Sequence, residues 1–166
     1  EYSVGHPALS PDGKTLYFVS DMPGGKGMSD ICKASIMADG TLGTPQRLGD
    51  NINTEGKELF PFVDSNGTIY FSSDGHLGIG GLDVFYAEAS GSDFGGVNNM
   101  GAGVNSASDD FAYKYDVASE RGYVSSNRTG GKGSDDMYIV KPVDIPCEVT
   151  INVQVVSKLT NTPIAG

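Results

Sequence analysis

Asp21 and Asp30, and again Asp74 and Asp83, stand at the two ends of short glycine-rich loops, and Asp136 closes a third loop of the same kind. Carboxylates and backbone carbonyls converging in such a loop are the hard oxygen donors of which a calcium ion takes about six to eight. The same side chains can instead turn inward and accept the N–H groups of their own loop, as aspartate commonly does in turns. Asn127 stands in the third copy where Asp21 and Asp74 stand in the others, and no loop has the alternating acids of a dedicated calcium loop. A structural role is therefore expected, with no metal or cofactor bound. Asp21, Asp30, Asp74, Asp83 and Asp136 are the calcium alternative.

Other reactive constellations are thin. The chain has two histidines, His6 before Pro7 and His76 in a loop, and both read as structural or surface residues. There is no G-x-S-x-G elbow and no serine, histidine and acid set that breaks the repeat as a catalytic site would. Gly78 to Gly81 lacks the lysine and the following helix of a phosphate loop. Cys32 and Cys147 form no C-x-x-C and fall in different units, so no pairing between them is expected. Asn66-Gly67-Thr68 and Asn127-Arg128-Thr129 match the glycosylation pattern, the first being better explained as a turn. Phe94 is a candidate exposed aromatic on a contact surface, the alternative being that a lone aromatic simply packs.

Charge narrows the partners. With 21 acidic against 11 basic residues and a net charge of −10, the chain lacks the clustered cations that nucleic acid requires. No apolar run approaches the roughly 18 residues of a membrane span, so direct insertion is not expected.

The elements that position the acids repeat. Leu16-Tyr17-Phe18-Val19-Ser20-Asp21 recurs as Ile69-Tyr70-Phe71-Ser72-Ser73-Asp74 and as Gly122-Tyr123-Val124-Ser125-Ser126-Asn127, a step of 53 residues. Asp30, Asp83 and Asp136 keep that step, as do Gly27, Gly80 and Gly133. With 24 glycines and 8 prolines, the chain offers short β-branched and aromatic runs and no helical pattern. Ser10-Pro11-Asp12-Gly13 and Asp64-Ser65-Asn66-Gly67 read as hairpin turns, with Val117-Ala118-Ser119-Glu120 in the third copy. Third strands are expected from Asp30, Asp83 and Asp136, and outer fourth strands around Thr41 to Leu48 and Asp93 to Asn99. Leu16 to Val19 is apolar on both faces, as a strand between two stacked sheets must be. Four short strands per unit describe the blade of a β-propeller. Phe18, Phe71 and Val124 are then equivalent buried positions.

Pro7 to Asp21, followed by Gly27 and Asp30-Ile31, resembles the WD-like β-propeller repeat of bacterial periplasmic proteins, also found in the TolB propeller. Ser72-Ser73-Asp74 and Gly78 to Tyr86 resemble the version found in Bacteroidetes OmpA-family proteins, whereas the third copy lacks the Ser-Pro-Asp-Gly turn. The expected fold is thus all-β: residues 1–143 as three four-stranded blades of a larger propeller, about 1–53, 54–106 and 107–143, with further blades upstream. Pro142, Asp144 and Pro146 then break the pattern, and Cys147, Val149, Ile151, Val153 and Val155 alternate with polar residues as in a half-wet strand. Residues 144–166 resemble a linker and the opening of a carboxypeptidase-regulatory-like sandwich domain.

This domain order resembles the PorE type of OmpA-family protein associated with type IX secretion and gliding. The resemblance implies a non-catalytic scaffold in the periplasm, associated with the outer membrane, binding protein partners of the envelope and reaching peptidoglycan through a domain not in this sequence. The alternative is the accessory propeller of an exported peptidase or other hydrolase.

Overall fold

A computed structural model describes residues 1–142, and the expected sandwich strand in residues 144–166 lies outside the described residues. In chain order the strands are β1 (Val4–Leu9), β2 (Thr15–Ser20), β3 (Asp30–Ser35), β4 (Gln46–Arg47), β5 (Glu58–Val63), β6 (Ile69–Ser73), β7 (Asp83–Ala87), β8 (Ala89–Ser90), β9 (Asp93–Phe94), β10 (Asn98–Asn99), β11 (Asp110–Asp116), β12 (Arg121–Ser126) and β13 (Asp136–Val140). They form antiparallel sheets: sheet I in the order β1-β2-β3-β4, sheet II as β5-β6-β7-β10, sheet III as β11-β12-β13, and a small β8-β9 hairpin. The described residues are all-β, and none of them forms a helix able to cross a membrane.

The turn chemistry does what its residues dictate. Gly13 and Gly67 take positive φ (68° and 84°), which Asp12-Gly13 and Asn66-Gly67 supply at low steric cost. Asp12 Oδ1 accepts the Lys14 N–H, and Asp64 Oδ1 accepts those of Asn66 and Thr68. In the third unit Asp116 takes over, accepting from the Ala118 N–H and the Ser119 hydroxyl.

The fourth strands depart from expectation. They are two-residue pieces, β4 and β10, and Asp93–Phe94 pairs with Ala89–Ser90 rather than with its sheet. Proline and glycine on either side of these segments remove ladder donors and side-chain packing, leaving room for only a short edge. Sheet III has three strands rather than the expected four among the described residues.

Each sheet packs its central strand against its neighbour. Ile31, Leu48 and Ile52 meet Ile69, Phe71 and Phe85 between sheets I and II, and all six are essentially fully buried. Burying each such side chain contributes roughly 1.5–3 kcal/mol. Between sheets II and III the cluster is Val84, Val104, Tyr113 and Val124. Gly122 stands where the second unit has Ile69, because a Cβ there would lie 2.7 Å from the Tyr113 ring. Phe18, Phe71 and Val124 are buried to 6, 1 and 1 % exposure at matching register in β2, β6 and β12, as expected. Phe94, expected on the surface, is buried instead, its ring 6.0 Å from that of Tyr17.

Candidate functional site

The loop acids turn inward. Asp30 Oδ2 accepts the Lys26 N–H at 2.7 Å, Asp83 Oδ2 those of Ile79 and Gly80 at 2.7 and 3.0 Å, and Asp136 Oδ2 those of Lys132 and Gly133 at 2.6 and 3.0 Å. A Cβ on Gly25, Gly78 or Gly131 would fall on that same carboxylate oxygen, so the glycine is what lets the loop close over the acid. Asp21 and Asp74 do a different task at the start of their own sheets. Asp21 Oδ1 accepts the Ser3 N–H at 2.5 Å and Asp74 Oδ1 the Lys57 N–H at 2.7 Å.

Asn127 makes the equivalent bond to the Asp109 N–H at 2.8 Å, and its amide donates to Asp109 Oδ2 at 3.0 Å. The third copy needs an amide because its partner is itself an acid. A carboxylate at 127 would face Asp109 with like charge. Asp30 Oδ1 and Asp83 Oδ1 are buried and accept no hydrogen bond from the described residues. No three histidine, cysteine, aspartate or glutamate side chains gather as a metal site among those residues.

A second set of polar side chains, not anticipated from sequence, joins one sheet to the next. Asn53 Oδ1 accepts the Ile31 N–H at 2.7 Å while its amide donates to the Ile31 and Leu48 carbonyls, both at 3.0 Å. Asn105 repeats this on Val84, at 2.8 and 2.9 Å. The next residue binds forward. Thr54 donates through its N–H and hydroxyl to Glu58, and Ser106 donates likewise to Asp110. Glu58 and Asp110 are fully buried, each at the foot of the first strand of its sheet. Burial works to raise the Asp110 carboxyl, but hydrogen bonds from Ser126, Arg128 and Ser106 outweigh it and hold the group below the ordinary carboxylate range. The signal was available as Gly49, Asn53, Thr54 and Glu58 recurring as Gly101, Asn105, Ser106 and Asp110, at a step of 52.

The first strands β1, β5 and β11 lie side by side, β5 against both others. Each carries the same irregularity. His6-Pro7, Phe60-Pro61 and Ala112-Tyr113 place two residues opposite one on the partner strand, the bulge falling across from Phe18, Phe71 and Val124. His6, Phe60 and Ala112 have φ of 48°, 51° and 56°, a left-handed conformation that side-chain-bearing residues seldom hold. The bulge is also where proline can sit inside a strand. His6 and Phe60 rings stack at 3.9 Å, and Phe60 and Phe111 at 5.3 Å. The Phe60 N–H donates to His6 Nδ1 at 3.3 Å, and burial lowers the His6 pKa below its usual value.

A cleft of about 530 Å³ opens along these three strands, lined by His6, Phe60, Phe62, Tyr113 and Lys114 among others, with no carboxylate, serine, threonine or cysteine on its walls. Lys114 Nζ stands 6.0 Å from the Phe62 ring centroid. The walls can hold apolar or aromatic groups, and Lys114 can attract an anion beside them. His76 lies elsewhere, its Nε2 2.9 Å from the Ile52 carbonyl and its ring against Phe71 and Phe85, which is a packing role. Cys32 is buried with Phe18 and Ala34, and Cys147 lies outside the described residues. No family model and no curated protein matches the chain.

Proposed function

We propose that the three sheets are consecutive blades of a β-propeller and that the chain is a non-catalytic, protein-binding scaffold. The observation that carries this reading is the cleft along β1, β5 and β11: it is aromatic and apolar, bears one lysine, and has no nucleophile paired with an acid on its walls. Sheets that repeat their interfaces at a fixed step, with first strands converging, support the propeller reading. The cleft suits a partner segment that presents apolar side chains next to a carboxylate. Taken with the sequence resemblance, the scaffold belongs in the periplasm, at the outer membrane, in a PorE-type assembly of type IX secretion and gliding.

A photo-crosslinking residue at Phe62, in the protein expressed in its own envelope, tests the proposal. The expected product is a specific secretion or outer-membrane component, lost when Lys114→Glu is introduced. Peptidase or glycosidase activity abolished by Lys114→Glu or His6→Gln, with no envelope partner captured, would place the protein with the exported hydrolases instead.

A further inference from the structure

The two seams between sheets share one register and are filled differently. Ser29 and Leu82 hold equivalent places, since each gives its carbonyl to the N–H of the acid that opens the next sheet, Glu58 or Asp110. Leu59 and Phe111 are equivalent through their pairing with Ser72 and Ser125. The seam between sheets II and III therefore carries a leucine and a phenylalanine where the seam between sheets I and II carries a serine and a leucine. The smaller pair leaves room. A cavity of about 300 Å³ lies at the first seam, walled by Val4, Val19, Met28 and Leu59, a volume at the small end of ligand pockets. Val19, standing where sheet II has Ser72, keeps the wall apolar, and Gly5 adds open space, with nothing within 4 Å of a Cβ placed on it.

The seams also differ in charge. At the second, Asp109 reaches across and its Oδ1 accepts the Leu82 N–H at 2.9 Å. At the first, Lys57 stands in the place of Asp109 and cannot accept that bond. Lys57 lies on the cavity wall from sheet II, and Asp21 lies on it from sheet I. Asp21 Oδ1 accepts the Ser3 N–H, but neither Asp21 nor Lys57 forms an ion pair, with each other or with any other of the described residues. An acid and a base on the wall of one apolar cavity, each without an ionic partner, match a ligand that carries both charges beside an apolar group.

We propose that this cavity binds a free α-amino acid with an apolar side chain of leucine size, its ammonium on Asp21, its carboxylate on Lys57 and its side chain among Val19, Met28 and Leu59. An ammonium and a carboxylate on one α-carbon answer both charges at once, and hydrogen bonds between ionised groups are the stronger kind. A purely apolar molecule leaves both charges unanswered, and the end of a peptide brings only one of the two. The site is separate from the cleft along β1, β5 and β11, sharing only His6 with its walls, and does not depend on what that cleft binds.

L-leucine titrated into the 166-residue chain, followed by methyl NMR at Val19 and Leu59, tests the proposal. Saturable shifts are expected. Leucinamide, which lacks the carboxylate, and N-acetyl-leucine, which lacks the ammonium, should each bind at least about tenfold more weakly. Asp21→Asn can keep the bond to Ser3, as Asn127 does to Asp109, and should weaken leucine by a similar factor while leaving N-acetyl-leucine unchanged. Ser29→Leu, which installs the residue of the second seam, should abolish binding, whereas Leu77→Asp, at a loop residue 95 % exposed, should not alter it. The absence of saturable shifts overturns the proposal, as does leucine binding that Ser29→Leu or Asp21→Asn leaves intact. Equal binding by leucinamide would make the ligand the first residue of a peptide, and equal binding by N-acetyl-leucine the last; either result overturns the free amino acid.

Discussion

The backbone at His6 is held left-handed while its ring stacks on Phe60 and its Nδ1 accepts the Phe60 N–H. A ring nitrogen that accepts cannot also carry the added proton, so the fold favours neutral His6, in agreement with its lowered pKa. The sign follows from linkage: the contribution is fully present above the ordinary histidine pKa of about 6.5 and is lost as pH falls through that value toward the lower folded one. Between pH values of roughly 7.5 and 5.5, the melting temperature of the wild type should therefore fall further than that of His6→Gln. Equal falls would remove His6 from the account. His76 is present in both proteins, so the comparison isolates His6. At this scale the inward acids were legible in the sequence, because Asp30 and Asp83 bind donors only three or four residues away. Phe94 was not. Its burial depends on Tyr17, a partner from another sheet that no local pattern reveals.

Among the elements, hairpins were the easiest to read, since Asp-Gly and Asn-Gly name their turns and the flanking runs are long enough to show periodicity. The outer strands are shorter than the sequence pattern suggests, because a two-residue edge has no period. The segment joining one sheet to the next was missed for a related reason. It recurs at 52 rather than 53 residues and keeps only its glycine, asparagine, hydroxyl and acid. Its glycine-lined seat separates two substitutions that look identical in sequence. Gly80→Ala drives a methyl group into the Ser106 and Ser108 carbonyls and should cost about 1–3 kcal/mol or more by urea denaturation. Gly133→Ala meets nothing closer than 3.5 Å and should stay within about 0.5 kcal/mol. Similar losses from both would mean that loop closure, rather than the neighbouring sheet, dictates the glycine.

For the molecule as a whole, the order of sheets sets an order of stability. Sheet II is covered on both faces, while sheet III offers Met137 and Ile139 to solvent. Contacts in such an array run only between neighbours, so protection should be graded. Amide exchange should be slowest at Ile69, Phe71 and Val84 and fastest along β13; uniform rates would show one indivisible cooperative unit. The repeat made the all-β array legible, because each copy restates the same alternation. The hand-over from one copy to the next was not, since it rests on Asn53 reaching back while Thr54 reaches forward, and on Asn105 and Ser106 doing the same. That division of labour defines a natural splice point. Excising Thr54 through Asn105 would join Asn53 to Ser106, leaving Ile52-Asn53-Ser106 with Asp110 four residues beyond the serine, the grammar of the original joint restored. An array built this way can be shortened or lengthened by whole units, with every cut made inside a single Asn-Thr or Asn-Ser pair and only the side chains packed across the new joint left to be matched.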